Sequence, residues 1–85
     1  MSAAAQTDRY TATLAQPLSG KQEFIANGNV WRCEGASCTL VSDPLDAGSI
    51  RSCHQLERQA GALSAYGKGE QVFDADKLAK CNSKS

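Results

Sequence analysis

Eighty-five residues with nine basic and nine acidic side chains, four cysteines and one histidine make one small domain with a single core. The balanced charge, with only a loose Lys77, Lys80 and Lys84 set at the end, argues against nucleic acid and polybasic membrane binding, both of which need a clustered positive face. No stretch approaches the roughly 18 apolar residues of a membrane span.

Residues 1–9 lack the charged start and apolar stretch of an intact signal peptide. Ala3, Ala4 and Ala5 instead resemble the small-residue surroundings of a signal-peptidase cut. They are therefore read as a flexible N-terminal segment of an exported chain, ahead of a single domain over 10–82 and a flexible end at 83–85. Tyr10, Ala12 and Leu14 alternate with Thr11 and Thr13, which predicts a half-buried strand. Pro17 to Lys21 ends it in a turn. Asn27-Gly28-Asn29 then separates two strand-like runs, Glu23–Ala26 and Val30–Cys33, and predicts a tight hairpin because Asn and Gly tolerate positive φ. Glu34–Ser37 supplies another turn and Cys38–Val41 a further strand, so the first half reads as a small antiparallel meander.

Beyond Asp43-Pro44 the apolar period changes. Ile50, Cys53, Leu56 and Ala60 share one helical face, with Ser49 or Asp46 as the cap and Gly61 just past the end. Ala62–Tyr66 reads as one more short strand, closed by Gly67-Lys68-Gly69. Asp74 starts a last helix on which Leu78 and Cys81 share a side. The fold class is therefore α+β: antiparallel β-hairpins followed by two short helices.

Four cysteines allow three pairings. Cys33 and Cys38 flank a hairpin turn, and Cys53 and Cys81 lie in the apolar stripes of the two helices, so the elements favour disulfides Cys33–Cys38 and Cys53–Cys81. The competing reading is zinc held by these cysteines and His54. Structural zinc sites generally present ligands in pairs two to four residues apart, and here only Cys33 and Cys38 are close, while adjacent Cys53 and His54 point apart on a helix. A redox-active Cys-x-x-Cys at a helix start is absent.

Without His54 no Ser/His/Asp or Cys/His arrangement can be assembled, and its place beside an apolar helix stripe reads as structural. The acid pairs Asp43 with Asp46 and Asp74 with Asp76 read as helix-start signals. Gly61, Gly67 and Gly69 do not open a long helix as phosphate loops require. No catalytic, metal or cofactor residue is assigned. The one candidate binding face is Trp31, Arg32 and Glu34: if Trp31 packs inward, Arg32 is displayed, and the reverse leaves indole on the surface.

The run Trp31-Arg32-Cys33-Glu34-Gly35 with Cys38, then Arg51-Ser52-Cys53 with Leu56 and Gly61, then Asp76-Lys77-Leu78 with Cys81-Asn82, resembles a set of small exported proteins from alphaproteobacteria over roughly residues 10 to 82. The resemblance implies an exported four-cysteine domain of unknown function and no activity. The expectation is a non-enzymatic periplasmic or secreted module that contacts a protein or other envelope component. The alternatives are an accessory subunit of an envelope complex, with Tyr10–Leu14 as an unpaired strand edge, and a Cys/His metal-binding protein.

Overall fold

The structure, a computed structural model, describes residues 9–83. Six strands, β1 (Tyr10–Leu14), β2 (Lys21–Ala26), β3 (Asn29–Glu34), β4 (Ser37–Leu40), β5 (Leu63–Lys68) and β6 (Gln71–Val72), join helices α1 (Ile50–Ala60) and α2 (Ala75–Asn82). Every strand pair is antiparallel, in the order β2-β3-β4-β1-β5-β6. The α+β class and both disulfides are as the sequence leads one to expect. The termini expected to be flexible and the Ala3–Ala5 segment lie outside the described residues, apart from Arg9, which donates to the Leu40 carbonyl at 3.2 Å, and Ser83.

The first four strands depart from a simple meander. β2, β3 and β4 are joined by tight turns, but β1 lies beside β4 at the centre of the sheet, a Greek-key order. The Ala15–Gly20 crossover runs past the Gly35–Ala36 turn, where Leu18 N–H donates to Gly35 and Gly35 N–H to Gly20. Tyr10–Leu14 is thus paired on both sides, by β4 and β5, and offers no edge. Its physical reason is the buried Ala12 and Leu14, which need neighbours on both flanks to leave water.

The turns obey local chemistry. Asn27 and Gly28 both adopt left-handed backbone (φ 54° and 82°) and close a two-residue loop between Ala26 and Asn29. Ser49 caps α1 by accepting from Ser52 N–H at 3.1 Å, and Asp74 caps α2 by accepting from Lys77 N–H at 2.9 Å. Asp43 and Asp46 are not caps: they lie in the loop before α1, and it is the Asp46 carbonyl that accepts from Ser49 N–H and Oγ. β5 runs two residues further than Tyr66. At Gly67 a Cβ would fall 2.4 Å from the Val72 Cα, so glycine is what allows β6 to fold back.

Both helices cover one face of the sheet. The core holds Ala12, Leu14, Trp31, Cys33, Leu40, Cys53, Leu56, Leu63, Tyr66 and Cys81. Tyr66 is its hub, with the rings of Phe73, Trp31 and Tyr10 at 4.9, 5.6 and 6.3 Å in tilted contacts. Cys33 and Cys38 are directly opposed on β3 and β4, with Cα atoms 4.0 Å apart, while Cys53 and Cys81 join α1 to α2.

Candidate functional site

Two asparagines complete the covered side. Asn29 is fully buried: its Oδ1 accepts from Leu45 N–H at 2.7 Å and its Nδ2 donates to the Leu45 carbonyl and to Ser52 Oγ, which clips the loop before α1 onto the hairpin. Asn82 Oδ1 accepts from Leu63 N–H at 2.9 Å and its Nδ2 donates to the Leu63 carbonyl at 2.8 Å, so one amide acts as a strand residue would. The Tyr66 hydroxyl donates to the Ala47 carbonyl at 2.6 Å, and burial pushes its pKa up to about 12.

Trp31 belongs to this side. It is 0% exposed, which removes it from the candidate binding face; alternation along β3 sends Arg32 and Glu34 outward because Trp31 and Cys33 fill the core. Its indole Nε1 has no hydrogen-bond partner among the described residues. Fully buried beside the Tyr66 ring, the indole is packing material.

His54 sits on the seam between the helices, where its Nδ1 donates to the Cys81 carbonyl at 2.8 Å and lies 3.2 Å from Glu57 Oε1. That arrangement fixes the ring beside the disulfide. All four sulfurs are joined in the two disulfides, and among the described residues no group of three His, Cys, Asp or Glu side chains is placed to hold a metal ion. A groove of about 430 Å³ beside Ala15, Pro17, Leu18, Ala60 and Gly61 carries no charged group.

The other face of the sheet is uncovered, and its side chains fall in rows set by strand register. One row crosses all six strands: Glu23, Arg32, Thr39, Thr11, Gly67 and Val72. The next runs Lys21, Glu34, Ser37, Thr13 and Ala65, every member exposed. Within the first row Arg32 donates from Nε and Nη2 to Glu23 Oε2, at 3.3 and 3.0 Å. Both partners are more than half exposed, so this pair is worth well under 1 kcal/mol of stability, of order 0.5 kcal/mol. Beside the charged rows lie Ile25 and Val41, 66% and 37% exposed, with Val30 between them. The open face thus combines charge, hydroxyls and an apolar corner.

Of the predicted surface residues the structure displays Arg32 and Glu34. Lys21 and Glu23 complete their rows from β2, and cross-strand register is not written in local sequence; the Asn-Gly turn, counted outward, fixes both pairings. Asn82 stood in the sequence pattern with no role, and its clasp on Leu63 supplies one. Among the described residues no helix is long and apolar enough to cross a membrane.

Comparison with known proteins gives a family and no activity. The match spans residues 1–83 and is to a family described as a family of unknown function (DUF8200). No curated protein and no solved structure matches the chain.

Proposed function

The chain belongs to that family of unknown function, and we propose that it is a non-enzymatic module, exported to the periplasm or beyond, whose open sheet face contacts a protein or other component of the cell envelope. The observation that carries the reading is the uneven use of the sheet: six strands, two helices and both disulfides serve one face, while the other holds exposed Arg32, Glu34, Thr11 and Thr13. Two disulfides in so short a chain support export, since such bonds persist in oxidising compartments. An envelope protein meets proteases and unbuffered conditions, and covalent staples offset its small core.

Fractionation of cells producing the natural protein, with alkylation of free thiols before lysis, tests the export half. Oxidised protein in the periplasmic or external fraction is expected; a reduced cytoplasmic pool overturns it. For the contact half, Arg32→Glu should leave the melting temperature within about 1 °C, as a surface change does, and weaken capture of whatever envelope component the wild type retains. Equal capture by the variant removes the open face from the reading.

A further inference from the structure

The β2 edge is distinct from the open face and has its own backbone chemistry. In the two-residue hairpin, Ala26 and Asn29 flank the loop and exchange hydrogen bonds, so bonding alternates back along β2: Ala26, Phe24 and Gln22 bond to β3, and Ile25, Glu23 and Lys21 turn their N–H and C=O outward. The Ile25 carbonyl confirms the parity, because it accepts from Gln59 Nε2 of α1 at 2.6 Å instead of from β3. That contact closes the Ile25 end of the edge. Among the described residues, the groups left without a strand partner are the Ile25 N–H and both backbone groups of Lys21 and Glu23, on exposed residues.

We propose that this edge pairs with the same edge of a second copy, antiparallel, with Lys21 of each copy opposite Glu23 of the other. Only residues with outward backbone can form the bonded pairs. Such registers fall into three kinds: those that set like charges together, Lys21 against Lys21 or Glu23 against Glu23; those that need the capped Ile25; and a third, which sets Lys21 against Glu23 twice. A lysine on an edge strand ordinarily discourages pairing; here the acid two residues on answers it in one register alone.

The third register also continues the charge rows of the open face. Across the joint the order is Arg32 and Glu23 of one copy, then Lys21 and Glu34 of the other, alternating in sign at every step. The two-fold axis stands perpendicular to the sheet, so both open faces lie on one side and both helical layers on the other. Four main-chain hydrogen bonds are a short joint, so the association is weak and salt-dependent.

Charge reversal tests it. Sedimentation velocity of the whole chain at low salt should show reversible self-association, and K21E and E23K, each alone, should weaken it at least about tenfold, since each creates two like-charge pairs. An equimolar mixture of the two variants should recover association, because the charge introduced by K21E then faces the one introduced by E23K, and the native Glu23 of one copy faces the native Lys21 of the other. Thermal melts of each variant verify folding, which exposed positions should preserve. The proposal is overturned by wild-type protein that stays monomeric up to about 1 mM, by single variants that associate like wild type, or by a mixture that does not recover.

Discussion

The two faces of this sheet are built from the same strands and obey opposite rules. On the covered face bonds and hydrogen bonds tie residues in pairs: Cys33 to Cys38, Cys53 to Cys81, Asn29 to Leu45, Asn82 to Leu63, Tyr66 to Ala47. Among the described residues of the open face the one direct hydrogen-bonded link between side chains is an exposed Arg32–Glu23 pair, and the rest is displayed. Stability therefore resides on one side and free surface on the other. Substitution of alternate residues along a single strand, β3, should report the two separately.

The largest effect expected on the covered face is loss of the interhelical disulfide. Closing a loop 28 residues in separation contributes about 3.5 kcal/mol by chain entropy, against about 2 for the hairpin ring of separation 5. For a domain of about 5–8 kcal/mol, Cys53→Ala with Cys81→Ala should unfold near body temperature, while Cys33→Ala with Cys38→Ala should leave a folded protein of lower melting point. Melting curves in the reverse order would assign the stability to the hairpin.

Asn82→Ala is the next. It strips the Leu63 N–H and C=O of their partners, and unsatisfied part-buried groups cost about 1–3 kcal/mol. Urea denaturation measures this, and a change below about 0.5 kcal/mol would show that the amide clasp is dispensable.

Tyr66 sharpens the comparison through pH. Its phenol ionises near 10 when unfolded and is pushed up to about 12 by burial, so the folded state holds its proton where the unfolded state loses it. The stabilisation is fully present below pH 10 and is lost as pH rises through 12. Tyr66→Phe should be the less stable protein at neutral pH, since the Ala47 carbonyl loses its donor. The gap between the two should narrow between pH 10 and 12 in chemical denaturation curves; a constant gap would mean the hydroxyl is not held by the core.

Local signals specified most of the covered face. Asn27-Gly28, Ser49, Asp74 and the Ile50-Cys53-Leu56 stripe act within a few residues, and once helices and hairpin are placed, the cysteines can pair in few ways. Trp31 was left open by the sequence, and the structure turns it inward with Cys33 by alternation along β3. The position of β1 was not legible, because its partners Ser37–Thr39 and Leu63–Lys68 are distant in sequence and only the closed packing selects them. Asn29 looked like a turn residue and Asn82 like a terminal one, since a side-chain amide that serves a distant backbone leaves no periodic trace. The charged rows of the open face were half legible: Arg32 and Glu34 followed from strand alternation, whereas Lys21 and Glu23 needed the register.

Site-specific photo-crosslinking in cells tests the division most directly, with the crosslinker at Thr39 in the middle of the open face or at exposed Arg58 on α1. Adducts from Thr39 and none from Arg58 are expected; adducts confined to Arg58 would contradict the account, because they would place contact on the face that the disulfides and the helices are held to serve.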